Sequence, residues 1–205
     1  MMKTEIRQVG ELATNCYIVW DENTRNCAVI DPGDEGAYLW DEIKRLGLSL
    51  KLILLTHGHF DHIGGVQELL EVSGQKPAVY LSECDLGLKP VFGEPVVLDR
   101  SMITPWQEGD TVTLDSITFT VMSTPGHTPG SVCLITEDSI FSGDTLFRDS
   151  CGRTDFPGGS WKDMCASLRR LYELKGDYKV YSGHTPPTTL ARERAMNAFM
   201  QSALS

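Results

Sequence analysis

The chain has 205 residues, a length that suits one domain better than several. Hydrophobic residues at 41% and charged residues at 22% exclude a disordered or collagenous chain and leave room for a sizeable core. With 18 Lys plus Arg against 28 Asp plus Glu, the net charge of −10 speaks against nucleic acid or an anionic membrane as partner.

The first residues carry charges where a signal peptide needs an apolar stretch, and no run approaches a membrane span. This predicts a cytoplasmic protein, and hence six reduced cysteines, Cys16, Cys27, Cys84, Cys133, Cys151 and Cys165, with no CxxC pair among them. Alternating apolar residues predict strands over 5–9, 16–20 and 27–30, separated by turn residues. A helical period carried by Ala37, Leu39, Trp40, Ile43 and Leu46 follows, then a buried strand over 51–55. The pattern next predicts a helix over 62–72, a strand over 78–81, a short helix over 83–88 and a surface loop over 94–109. The second half starts over in the same style, with strands over 111–114, 117–122, 131–136 and 139–142 and a helix over 162–174. A final helix carries Leu190, Ala195, Met196 and Phe199, whose apolar face is expected on the protein's own core, the chain being a monomer or homodimer. Sheet followed by helix, twice, predicts an α/β fold, two sheets face to face with helices outside, as a single domain over 1–205.

The segment Thr56-His57-Gly58-His59-Phe60-Asp61-His62 directly follows the buried strand and holds three of the five histidines. A chance HxHxDH in a chain of this composition is expected on the order of once in 10⁴ chains. Gly58 is expected to remove bulk between two imidazoles that must converge. His127 lies in Pro125-Gly126-His127-Thr128-Pro129-Gly130, His184 in Ser182-Gly183-His184-Thr185, and Asp144 in Ser142-Gly143-Asp144-Thr145, each after a predicted strand. Every histidine thus occupies a glycine-bearing loop at a strand end, where α/β folds collect functional side chains. Imidazole and carboxylate donors suit Zn²⁺ first, with Fe²⁺ or Mn²⁺ as alternatives, and the absence of cysteine argues against a closed structural zinc site. Seven donors exceed the four that one tetrahedral ion uses, so two divalent ions about 3.5–4 Å apart are expected. His57, His59, His127 and Asp144 are assigned to one; Asp61, His62, His184 and the shared Asp144 to the other.

At these residues the chain resembles the metallo-β-lactamase superfamily, whose HxHxDH motif, later His, bridging Asp and last His match His57, His59, Asp61, His62, His127, Asp144 and His184 in order. The segment Ala28-Val29-Ile30-Asp31-Pro32-Gly33 is similar to the superfamily's early strand and turn, which implies that Asp31 supports the ligands from behind. The implied fold is an αββα sandwich. Gly143-Asp144-Thr145-Leu146-Phe147 and the stretch from Cys151 through Phe156 to Gly159 are similar to short bacterial glyoxalase II-like hydrolases. That resemblance implies cleavage of an anionic, small-molecule thioester of the S-lactoylglutathione type. A metal-bound hydroxide would be the nucleophile, and Asp61 would act both as ligand and in catalysis. Longer enzymes of this kind carry a C-terminal helical extension that contacts glutathione, whereas this chain ends soon after His184, which leaves the thiol carrier open.

Two other readings remain. Persulfide dioxygenases of the same superfamily use one iron and share a Cys-Gly-Arg-Thr-Asp-Phe segment, and His57, His127 and Asp144 form the required two-His, one-carboxylate set. A non-catalytic metal-binding or regulatory protein on the same fold is the third. Residues 148–194 are locally basic, so Arg148, Arg153 or Lys162 are candidate contacts for an anionic substrate. The competing reading makes Arg169-Arg170 and Arg192-Glu193-Arg194 solvated helix faces and pairs Arg153 with Asp155.

Overall fold

A computed structural model describes residues 1–88 and 98–204. Strands β1 (Met2–Val9), β2 (Thr14–Asp21) and β3 (Asn26–Ile30) form an antiparallel meander. Helix α1 (Gly36–Arg45) returns the chain to β4 (Ser49–Leu54), which runs parallel to β3. Helices α2 (Phe60–Ile63) and α3 (Val66–Ser73) lead to β5 (Ala78–Ser82), parallel to β4, and β6 (Ile103–Trp106) completes a six-stranded sheet in sequence order. The second sheet is built from β7 (Thr111–Leu114), β8 (Ile117–Ser123), β9 (Val132–Ile135) and β10 (Ser139–Gly143) as antiparallel neighbours. After the small hairpin β11 (Leu146–Phe147) and β12 (Ser150–Cys151) comes helix α4 (Trp161–Glu173). Strand β13 (Lys179–Ser182) then joins β10 in parallel, and β14 (Thr188–Thr189) closes the edge before α5 (Leu190–Met196) and α6 (Ala198–Ser202).

Alternation along the strands sorts side chains into three apolar layers, because successive residues of a strand point to opposite faces. In β2, Cys16 and Ile18 face α1 and α3, while Tyr17 and Val19 face the second sheet. In the second sheet Val132, Leu134 and Phe141 turn inward, and Cys133 and Ile140 turn out towards Met164, Leu168 and Leu171 of α4. The result is the expected αββα sandwich. Phe119 and Phe141 are fully enclosed between the sheets, and each such ring contributes roughly 1.5–3 kcal/mol of hydrophobic stabilisation. Among the described residues no helix is long and apolar enough to cross a membrane.

Four local expectations are corrected. The helix expected over 62–72 is broken at Gly64-Gly65, since a Cβ there would lie 2.5 Å from the Gly33 carbonyl oxygen or 2.7 Å from that of Asp34. The helix pair can pack this closely against the Asp31–Gly33 turn only without side chains. The loop expected over 94–109 contains β6, which is recruited by pairing with β5; residues 94–97 of that stretch lie outside the described residues. The short helix expected over 83–88 is a 3-10 turn at Glu83–Asp85. The last helix splits at Asn197, which caps α6 by accepting from the Phe199 and Met200 amides. As a result Leu190 and Met200 reach the core, while Met196 and Phe199 stay exposed.

Candidate metal centre

The parallel pairs β3/β4 and β10/β13 bring four strand ends to one edge of the sandwich, and the loops leaving them carry the site. Asp31 follows β3, His57 to His62 follow β4, Asp144 follows β10 and His184 follows β13; His127 lies in the β8–β9 connection. The sheets are tied together here by backbone bonds. The Val132 amide donates to the Thr56 carbonyl at 2.9 Å and the Asn15 amide to the Gly183 carbonyl at 2.7 Å.

All seven expected donors converge. Ligand atoms of His57, His59 and His127 lie within 4.8 Å of one another, as do those of His57, His62 and Asp144, and those of Asp61, His62 and His184. His59 Nδ1 and His127 Nε2 face each other at 2.8 Å. On the other side, His184 Nε2 lies 3.2 Å from Asp61 Oδ2 and 3.4 Å from His62 Nε2. Asp144 stands between the groups: Oδ1 is 3.4 Å from His62 Nε2, and Oδ2 is 3.4 Å from both His127 Nε2 and His184 Nε2.

The outward nitrogens of His57, His62 and His127 are occupied, which orients their inward nitrogens towards the other donors. His62 Nδ1 donates to Asp31 Oδ2 at 2.9 Å, and His127 Nδ1 donates to the Arg153 carbonyl at 2.7 Å. Asp31 also accepts from the Thr56 amide and, at 2.6 Å, from the Thr56 hydroxyl, which is therefore free to accept from His57 Nδ1 at 3.1 Å. Thus Asp31 stands behind two ligand candidates, one directly and one through Thr56. Thr56 stands in the histidine-rich segment without an expected role, although its place between the strand and the motif is a signal for one.

Burial drives the His57 imidazole well below its ordinary pKa and His59 down to about 4, so both are neutral at pH 7. Burial opposes protonation of His62 too, but the Asp144 and Asp31 carboxylates outweigh it and hold this ring well above its ordinary value. His184 is likewise raised, against desolvation, to about 9 by Asp144 and Asp61. Asp61, despite burial, is held at about 2 by its contact with His184, and Asp144 sits well below the carboxylate range beside His62. A divalent cation bound there would displace the protons that these carboxylates draw onto His62 and His184, since metal ligation needs neutral imidazole and ionised carboxylate. His57 Nε2 and Asp144 Oδ1 are buried with no hydrogen-bond partner. Unsatisfied buried polar atoms are costly, and here both belong to the donor set, so the residues fit a metal.

Gly58 has a different reason from the one expected. A Cβ there would lie 2.9 Å from the Asp85 carbonyl oxygen, so the glycine admits the Glu83–Asp85 turn rather than making room between the imidazoles. Of the basic candidates, Arg153 is engaged by Asp155 through two bonds of 2.7 Å and stacks 3.9 Å over the Phe156 ring. Arg148 is 46% exposed, with its nearest carboxylate, Asp149, at 3.9 Å, and Lys162 is exposed in the first turn of α4. Much of the local basic charge is structural: Arg170 pairs with Glu108, Arg192 with Asp149, and Arg194 donates to the Tyr172 carbonyl. Glu193, expected on a solvated face, is fully buried and accepts from the Asp149 amide and from Thr188, Arg192 and Asn197.

An αββα sandwich with clustered His and Asp donors at the sheet ends, able to hold a metal ion, defines the class to which the chain is assigned. The chain belongs to the metallo-beta-lactamase superfamily, whose family profile matches residues 9–184. It is 37% identical over 212 residues to the hydroxyacylglutathione hydrolase GloC of Haemophilus influenzae, covering 98% of this chain and 99% of that protein. Among solved structures it is similar to the BLEG-1 B3 metallo-beta-lactamase, with a TM-score of 0.85 and 33% identity over 98% of this chain and 99% of the other. The di-iron-bound form of TTHA1623 matches with a TM-score of 0.80 and 36% identity, covering 95% of this chain and 99% of the other. ETHE1 of Myxococcus xanthus matches at 0.80 and 28%, covering 99% and 90%.

Proposed function

We propose that this protein is a cytoplasmic hydrolase using two divalent metal ions, zinc first, to cleave anionic thioesters of the S-lactoylglutathione type. The carrying observation is the convergence of seven donors into overlapping groups around Asp144, in a chain similar end to end to a hydroxyacylglutathione hydrolase. His57, His59 and His127 would hold one ion, Asp61, His62 and His184 the other, with Asp144 between them. Bound there, the metal would supply Lewis acidity, which brings the pKa of water down to about 7 and polarises a carbonyl.

The protein's own groups do the rest. Asp61, ionised and gripped by the Thr14 hydroxyl at 3.0 Å, would serve both as ligand and as the carboxylate that accepts the proton of water. Water adds to the acyl carbon, the C–S bond breaks, and the products are a carboxylic acid and a thiol. A thiolate with a parent pKa near 8.5 leaves with little protonation, so no dedicated general acid is required. Arg148, exposed at the hairpin beside His184, would attract an anionic substrate, an attraction that salt screens.

Elemental analysis of the purified protein alongside a panel of thioesters tests this. Two metals per chain and oxygen-independent release of free thiol are expected; absence of thioester cleavage by metal-loaded protein overturns it. A second reading, a mononuclear iron persulfide dioxygenase, draws on the His57, His127 and Asp144 subset, in which His127 Nε2 lies 3.4 Å from Asp144 Oδ2. One iron per chain with oxygen consumed on glutathione persulfide would establish it instead.

A further inference from the structure

Asp85 is 3% exposed, lies outside the seven-donor set, and no cation pairs with it among the described contacts. Its Oδ2 accepts from the Gly58 amide at 2.9 Å and from the Thr128 hydroxyl at 2.7 Å, and its Oδ1 accepts from the Gly130 amide at 2.7 Å. Gly58 sits between His57 and His59, and Thr128 directly follows His127. One buried carboxylate therefore ties together the two loops that supply the all-histidine group. Both glycines are shaped to receive it, since a Cβ on Gly130 would lie 2.5 Å from Asp85 Oδ1 and one on Gly58 would lie 3.0 Å from Asp85 Cβ. The Ser131 hydroxyl, 2.7 Å from that of Thr128, braces the same junction. The Asp61, His62 and His184 group has no such link to Asp85; its support comes from Asp31 and Thr14.

The geometry points to Asp85 as a positioning residue that sets the spacing of His57 and His59 against His127, and so the affinity of that site for metal, while leaving the second site untouched. This rests on the proposed metal centre. Outer partners of metal ligands typically change affinity about 10–100-fold when removed. Asp85→Asn keeps the volume but replaces one acceptor by a donor that faces the donors it should receive.

The test is an equilibrium titration of metal-free protein with Co²⁺, and with Zn²⁺ against a chromophoric chelator, resolving the two affinities and following the Co²⁺ d–d spectrum. For Asp85→Asn one of the two affinities should fall about 10–100-fold with an altered spectrum, the other staying within about twofold. The weakened affinity should be the one that His59→Ala abolishes. Thr128→Val, which removes one of the three bonds, should give the same selective loss at smaller size and serves if Asp85→Asn does not fold. Equal weakening of both sites, or unchanged affinities in both variants, overturns the inference while leaving the metal centre standing. A wild-type protein that takes up no metal overturns both.

Discussion

The Thr56 hydroxyl is the most economical place to break the support of the site. It donates to Asp31 Oδ2 at 2.6 Å and accepts from His57 Nδ1 at 3.1 Å, in surroundings with almost no solvent. Thr56→Val keeps the shape and removes both bonds. A hydrogen bond to a charged acceptor contributes about 1.5–3 kcal/mol, and a buried N–H left without an acceptor costs about 1–3 kcal/mol. Both depend on one hydroxyl and are not fully additive, so a loss of about 3 kcal/mol is expected in the metal-free protein. At roughly 2–4 °C per kcal/mol for a chain of this size, the melting temperature should drop by roughly 6–12 °C. With its outer nitrogen unheld, the His57 ring is no longer confined to one tautomer, and metal affinity should fall about 10–100-fold. Urea denaturation and metal titration of Thr56→Val, with Thr56→Ser as the variant that restores the hydroxyl, measure both. A stability loss below about 1 kcal/mol together with unchanged metal affinity would refute the reasoning.

Glu42 is held at about 2 by Arg45 and Arg7, so its stabilising contribution is present above its ordinary pKa of 4.5 and lost as pH falls through about 2. The wild-type urea midpoint should therefore decline between pH 5 and 2.5, and Glu42→Gln should flatten that decline. Glu193→Ala strands the Asp149 amide, removes one of the three acceptors of the Asn197 side chain and breaks a part-exposed ion pair with Arg192, a loss of about 1–3 kcal/mol, most of it from the stranded amide. Hydrogen exchange should then accelerate at the β11–β12 hairpin before it does in β10. Dialysis against a strong chelator should lower the melting temperature and readdition of Zn²⁺ restore it, by mass action on the folded state. A melting temperature indifferent to chelator would contradict the metal centre.

The donors were legible in the sequence because histidine is scarce in this chain, three of the five fall in one HxHxDH segment after a predicted strand, and the other two lie in glycine-bearing loops, so a one-dimensional pattern carried a three-dimensional meaning. Layer assignment was legible for the same reason: alternation in segments such as Cys16 to Trp20 states which face is which. What escaped was whatever depends on a partner far along the chain. Ile103 to Trp106, with Pro105 inside it, shows no strong period and becomes a strand only because β5 offers an edge. Asp85 has no motif around it, and its meaning comes from two loops, one of them more than 40 residues away. Glu193 lies between two arginines and reads as a surface residue, yet it is buried because four donors from the β11–β12 hairpin, β14 and the C-terminal helices surround it.

The division of the seven donors between the halves of the chain has a mechanical consequence. His57, His59, Asp61 and His62 come from the first sheet, and His127, Asp144 and His184 from the second. An ion gripped from both sides acts as a reversible rivet closing very long loops, the circumstance in which a cross-link constrains the unfolded chain most. Prising the sheets apart then requires the rivet to be drawn first, so the loaded protein should open slowly even where its equilibrium stability is modest.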